Sequence, residues 1–413
     1  MKKIIIIFLM ITLSLPVYAK DKSEDESKKP VSFARQKFEF GFDVGVGFDN
    51  DLLKLGDFFQ KEIVVDLNEI GSDVRDTGLT LNLGVGTEIF FNIKNVKIGE
   101  NLWDFGFFAG VDGDIDLNIP KSMFTLITEG NIDKRVFEGV ISASGSVYAD
   151  AGLKLSAQFG KLRLGVAPSV FTPLIYVPKV IDGNKTGINY NLNTTEGVLF
   201  ETSGSISVYS PFMTKNGEIG EIKFGGDLAA EAEFSLFSFL DIGGSVSNIP
   251  IFPAVMEDRV LLALGMQPLE VTPGDLLSGK GESFDFDFDF VENYNSPKEI
   301  KIHRPMRFDA HVKLKPFSNN FLVFKPSVGM SIDINNEETF FNAGLGIQLN
   351  LIDFFIIDAS SSYTETIWVH QLGMALNLRA FELNLKAALR SSSLENSFQG
   401  QGFGVGVGLR FGW

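Results

Sequence analysis

The side chains best suited to proton transfer in this chain are its three histidines, His303, His311 and His370. Asp309 and His311 lie two apart on an alternating segment, which puts both on one face of a strand. A carboxylate and an imidazole so placed could act in general acid–base chemistry. No nucleophile-bearing motif surrounds them, so two polar residues of a strand face is the plainer reading. His370 follows Trp368 and reads as part of an aromatic band. Ser391-Ser392-Ser393 sits in a loop with no base nearby. The chain has no Cys, which excludes disulfides and thiolate metal ligands. No enzyme is assembled from these residues, and no cofactor motif accompanies them.

Phe284 to Phe290 alternates Phe with Asp. A strand there would carry Asp285, Asp287 and Asp289 on one face and four Phe on the other. Carboxylates spaced in this way suit a hard cation such as Ca²⁺, which takes six to eight oxygen ligands. No glycine-punctuated calcium loop surrounds them. An extended segment with Phe packed on the protein and Asp in water accounts for the pattern more simply.

A wider set of charges depends on what positions it. Alternation with a period of two dominates the chain, and that is the period of a strand with one apolar face. Phe38, Phe40, Phe42, Val44, Val46 and Phe48 form one such stripe. Leu79–Val85, Trp103–Val111, Phe137–Phe159 and Met306–Leu314 carry others. Further stripes run over Ala343–Leu349, Leu372–Leu378, Phe381–Leu389 and Phe403–Trp413. If these apolar faces turn outward, Glu39, Asp43, Asp104, Asp112, Asp114 and Asp116 fall on an enclosed inner face. Lys313, Lys386, Arg390 and Arg410 join them there. The acids lie on early strands and the bases on late ones, a split that would set a transverse field across a water-filled interior. Mixed charge is also what a sealed interior needs to neutralise itself.

Close hairpins are expected near Gly160-Lys161, Phe237-Ser238, Ser318–Asn320, Ile352–Phe355 and Arg379–Phe381. Longer polar connections lie at 182–197, 274–282 and 391–401. Short turns at one end and long loops at the other are how transmembrane barrels divide their connections. The runs give about 14 spanning strands, within roughly 12 to 16, and single-chain barrels favour even numbers. The runs reach or exceed the roughly 9 to 11 residues that a tilted spanning strand needs. A soluble sandwich would bury the same stripes between two sheets, but long strands and Phe-rich apolar faces weigh against it. Two segments break the alternation. Residues 51–70 carry apolar residues at helical spacing, and 248–277 is interrupted by four prolines. Each is a candidate constriction over or inside a pore, or a cap on its mouth.

The 52 acidic and 36 basic residues give a net charge of −16. That balance argues against nucleic acid as a partner, which selects Lys and Arg. Met1-Lys2-Lys3, the apolar run Ile4–Leu15 and Val17-Tyr18-Ala19 have the layout of a secretory signal, with cleavage expected between Ala19 and Lys20. Residues 20–35 are mostly polar or charged and read as a disordered periplasmic leader. Residues 36–413 follow as a single domain.

The last segment, Gly402 to Trp413, resembles the carboxyl-terminal insertion signal of bacterial outer-membrane β-barrel proteins. Phe403, Val405, Val407, Leu409, Phe411 and Trp413 are in register with that pattern, although the family ends more often in Phe than in Trp. The resemblance implies an all-β, closed antiparallel transmembrane barrel, porin-like, in the cell outer membrane. Its partners would be the lipid and, during insertion, the barrel-assembly machinery. It implies a passive channel or transporter for small solutes, with the solute unspecified. The strand number is also similar to that of the long-chain fatty-acid transporter class, which would imply uptake of hydrophobic compounds, although no plug motif follows the leader. A surface-interaction barrel with a plugged lumen is the third expectation.

Overall fold

The computed structural model describes residues 36–50, 74, 78–129, 136–181, 184–193, 199–213, 218–257, 259–265, 289–293, 298–317, 321–352, 354–378, 380–398 and 401–413. The expected signal and leader, the 51–70 segment, the 274–282 connection, and Asp285 and Asp287 lie outside the described residues.

The strands in chain order begin with β1 (Phe38–Asn50), β2 (Leu79–Ile98), β3 (Asn101–Ile119), β4 (Val136–Phe159) and β5 (Leu162–Val177). Next come β6 (Val180–Ile181), β7 (Asn184–Lys185), β8 (Gly187–Asn193), β9 (Leu199–Tyr209), β10 (Gly225–Phe237) and β11 (Leu240–Phe252). Then follow β12 (Ala254–Met256), β13 (Arg259–Gly265), β14 (Asp289–Asn293), β15 (Ile300–Ile302) and β16 (Met306–Leu314). The chain finishes with β17 (Leu322–Asp333), β18 (Glu338–Ile352), β19 (Phe355–Thr364), β20 (Ile367–Leu378), β21 (Phe381–Ser391) and β22 (Gly402–Gly412). Two short helices are α1 (Lys121–Glu129) and α2 (Leu394–Ser397).

Antiparallel pairing runs from β1 through β2, β3 and β4 to β5, steps to β10 and β11, and steps again to β16. It then continues strand by strand to β22, which pairs back onto β1. The sheet is therefore closed, and an antiparallel closed sheet has no unpaired edge. The seam runs from Glu39↔Gly412 to Asp49↔Gly402. It is finished by a reciprocal pair of backbone bonds, Phe38 N to Trp413 O at 3.0 Å and Trp413 N to Phe38 O at 3.1 Å.

The sheet holds more strands than the about 14 expected, 18 in all, of which 14 make up the closed circuit. The excess is β8, β9, β13 and β14, which lie off the circuit and are attached through β4 and β5. They occupy stretches read from the sequence as loop or insertion. Residues 184–193 carry β7 and β8 rather than a plain polar connection, and 248–265 carries the end of β11, then β12 and β13. Pro250 and Pro253 break the period ahead of β12 and β13, and β8 pairs with β4, well before it in the chain.

The tight turns fall where the sequence places them, between β4 and β5, β10 and β11, β18 and β19, and β20 and β21. The other end is not uniformly long-looped. β17 meets β18 and β19 meets β20 through short turns in which Glu337, Glu365 and Thr366 take left-handed backbone angles.

Side chains sort by parity. Leu83, Leu153, Val328, Phe341 and Leu372 on the outer face are 59–74 % exposed. Their neighbours in sequence turn inward, where Glu39, Asp49, Asn82 and Asp227 are buried. An apolar exterior around a polar interior inverts the arrangement of a protein folded in water. Aromatic pairs mark the tight-turn end, including Phe38–Trp413, Phe381–Phe411 and Phe237–Phe239, with ring centroids 6.0, 5.4 and 5.3 Å apart.

Candidate functional site

Inward parity on so many strands gathers the charged residues into one wall. Arg410 lies between Asp43 at 3.8 Å and Glu382 at 3.5 Å, with its guanidinium 5.5 Å from the Phe90 ring centroid. Arg390 reaches Asp49 at 3.1 Å. Glu39 is buried beside Lys94. Asp104 accepts from Arg163 at 2.8 Å and from the Asn95 backbone at 2.8 Å. Lys313 pairs with Glu233, which also has His311 at 3.5 Å. Asp309, the expected companion of His311, lies instead against Gly329.

The expected transverse split is not what these contacts form. β22 closes against β1, so the late bases meet the early acids along the seam, Arg410 on Asp43 and Arg390 on Asp49. Arg390 can cross from β21 to β1 because glycines clear its path. A Cβ on Gly47 would stand 2.1 Å from its Nη1. Closure is a property of the whole ring, and no local pattern announces which strands become neighbours.

Asp112, Asp114 and Asp116 stand in a row on β3 and have no Lys or Arg within ion-pair distance among the described residues. Asn82 steadies two of them, donating to Asp116 at 2.8 Å and Asp114 at 3.4 Å. Lys386, on β21, likewise has no ion pair among the described residues.

Among the described residues, two adjoining cavities lie in the interior. The larger, about 1630 Å³, opens at the loop end and is lined by Asp112, Asp114, Asp116, Lys386 and Arg390 among others. The smaller, about 420 Å³, lies beside it and reaches Asp43, Glu88, Asp150 and Arg304. They share Gly45, Gly86, Gly406, Asp112, Arg307 and Lys386. At this neck three glycines on adjacent strands bare the backbone of one wall, flanked by Asp112 on one side and Lys386 on the other. Register sets Gly45 opposite both Gly86 and Gly406.

The mouth is crossed by two inward segments that converge on the β17–β18 turn. Lys179 donates from its backbone to Asn336 at 3.0 Å and from Nζ to Glu338 at 2.8 Å. His303 and Asn335 exchange bonds of 3.0 and 2.6 Å. The deepest polar cluster joins the second segment to the wall. Arg304 Nε lies 2.7 Å from Asp227, Nη1 lies 2.5 Å from Asp150, and Nη2 donates to Ser169 at 3.1 Å. The periodicity that exposes lumenal residues on regular strands misses Arg304, which precedes Pro305 in a segment without period.

His370 packs with Trp368 and Phe398, centroids 6.5 and 4.1 Å away, on the outer rim. The structure adds a contact absent from the sequence reading, His370 Nε2 to Ser397 Oγ at 2.8 Å. Ser397 is fully buried, and its hydroxyl also donates to the Leu394 carbonyl at 2.6 Å. The pair pins α2 to the barrel. Ser391 bonds Gln401 and the Ser393 backbone, which shapes the same connection. Asp289 falls at the start of β14.

No protein-family model and no curated protein sequence matches this chain. Among solved structures, the Ralstonia pickettii toluene transporter TbuX is 9% identical with a TM-score of 0.49, covering 94% of this chain and 92% of that one. A Pseudomonas aeruginosa FadL homologue is 9% identical at TM-score 0.45, covering 91% and 90%. The translocator domain of the autotransporter NalP from Neisseria meningitidis is 9% identical at TM-score 0.36, covering 94% and 90%. At these identities and TM-scores the likeness bears on neither cargo nor mechanism.

Proposed function

We propose that this protein is an outer-membrane β-barrel that works as a passive channel for small polar solutes. The observation that carries the reading is the closed circuit of strands with an apolar outer belt around a charge-lined interior cavity of about 1630 Å³. In hydrocarbon each unpaired backbone group costs several kcal/mol, so spanning sheets must close. In water the same belt would leave a large apolar surface exposed at roughly 25 cal/mol per Å². The two aromatic rims suit the membrane–water boundaries, where such rings concentrate.

Polar solutes suit the lining. Carboxylates, amines, amides and bare backbone replace hydration shells, whereas hydrophobic cargo would need a deep apolar pocket. The apolar cluster of Tyr148, Phe171, Tyr176 and Tyr209 inside the barrel is already filled by Ala254, Met256 and Ile302. Export by the signal at Ala19–Lys20 and insertion through the assembly machinery by way of the β22 pattern complete the proposal.

Single-channel recording of the folded protein in planar bilayers tests it. Stepwise, ohmic conductance is expected. Silence from a preparation that is folded and inserted would overturn the channel in favour of a sealed, surface-acting barrel.

A further inference from the structure

Of the three charged residues that both cavities share, Arg307 already faces Glu365 at 3.5 Å. The other two, Asp112 and Lys386, have no ion pair among the described residues. They stand at the two ends of one register row. From β3 to β21 the row reads Asp112, Gly86, Gly45, Gly406, Lys386, each residue opposite the next. Four strand intervals separate its ends, or about 19 Å between the two Cα atoms.

Both end side chains lean along the row toward its centre. Asp112 Oδ1 lies 3.8 Å from the point where a Gly86 Cβ would stand. Lys386 Cδ lies 4.0 Å from the corresponding point on Gly406. At Gly45, between them, a Cβ would meet nothing nearer than 3.7 Å. The neck is thus a shelf of bare backbone with an acid over one end and a base over the other. Their charges are roughly 10 Å apart, two strand intervals.

The next row shows what chemistry such a shelf seats. There Gly84, Gly47 and Gly404 are again opposite one another, with Asp114 at the β3 end. Across them lies the chain's own Arg390, with Nη1 3.5 Å from the Gly84 Cβ position and Cδ 3.8 Å from that of Gly404. Its Nε lies 3.1 Å from Asp49. An organic cation therefore rests against three glycines beside a carboxylate.

We propose that the Asp112–Lys386 row is a recognition site for a small zwitterion, with its ammonium on Asp112 and its carboxylate on Lys386. Charge-assisted contacts of about 2.8 Å at each end leave roughly 4–5 Å for the solute's own charge separation. A dipeptide or a γ-amino acid meets that span, and its middle lies over Gly45. The site deepens the channel reading and rests on it for the solute's passage, though not for its binding.

Glycylglycine is the probe. Glycylglycinamide lacks its carboxylate, and N-acetylglycylglycine lacks its ammonium. Binding to the folded barrel in detergent, followed by ligand-observed NMR, should favour glycylglycine over each analogue by about tenfold, because a site built around a polar group rejects the analogue without it. Lys386→Gln should abolish the gap to the amide and keep the gap to the acetylated form. Asp112→Asn should do the reverse. Gly45→Val, which sets a side chain on the shelf, should weaken glycylglycine binding severalfold. A merely structural role for either charged residue would not produce this crossed pattern. Equal binding of the three probes by the parent would overturn the site, as would gaps that neither substitution moves in barrels shown to be folded by their heat-dependent gel shift. The crossed pattern in a protein that never conducts would count against the channel and leave the site standing.

Discussion

Glycine identity at the inner wall separates two roles that the sequence shows as one repeat. Gly45 and Gly47 both alternate with outward apolar residues, Val44, Val46 and Phe48. A Cβ on Gly45 would meet nothing nearer than 3.7 Å, whereas one on Gly47 would collide with Arg390. Gly45→Ala should leave stability unchanged, while Gly47→Val should destabilise the barrel by about 2 kcal/mol through the displaced Arg390–Asp49 contact. Urea unfolding in lipid vesicles checks the pair. Lys386 supports a second prediction at this scale. It lines both cavities and has no ion pair among the described residues, so Lys386→Glu removes no stabilising contact and reverses a charge at the neck. Reversal potentials under a salt gradient should shift toward cation preference, with the folded fraction unchanged. Parity puts the charges from Glu39 to Arg410 on one face, and of these Asp43, Asp112, Asp114, Lys386 and Arg390 line the cavities. It could not name Asp150, Asp227 and Arg304 as a cluster, because their meeting depends on a ribbon that leaves the wall.

Elements were legible in proportion to how local their cause is. Hairpins such as β4–β5 and β20–β21 follow from alternation on both sides of a two-residue turn, and they appear where the sequence puts them. α1 and the strands β8, β9, β13 and β14 were not foreseen; β8 and β13 each depend on a strand well before them in the chain, β4 and β9. Tyr190 on β8, for instance, is buried with Phe137 of β4. β22 carries the most weight of any element. Its pairing with β1 and β21, the Phe38–Trp413 stack and the reciprocal backbone bonds all complete the ring. Deleting Phe411 to Trp413 removes those bonds and should reduce the heat-resistant, folded fraction severalfold when the chain inserts into vesicles. A gel run with and without boiling measures that fraction.

On the proposed reading, the whole molecule is a partition between two media, lipid outside and water inside and at both ends. Arg at the middle of the outer belt should therefore cost about 2–4 kcal/mol, the range for a charge facing the bilayer midplane. Leu83→Arg and Leu153→Arg are the test substitutions, because both positions are 61 % exposed on the outer face. Asp112→Asn, on a lumenal position of the same sheet, should cost far less. Folding titrations in vesicles of one lipid composition compare the three directly. Fold class was readable from composition and period because both media act on every strand alike. What the lumen admits was not, because passage depends on inward segments such as 298–305 that obey neither period.

The seam between β1 and β22 has a consequence for biogenesis. β1 must wait, with one side unsatisfied, until β22 has been delivered to it. A chain that lacks β22 exposes two raw borders, on β1 and on β21, instead of none. A ring that holds together therefore has that strand in place.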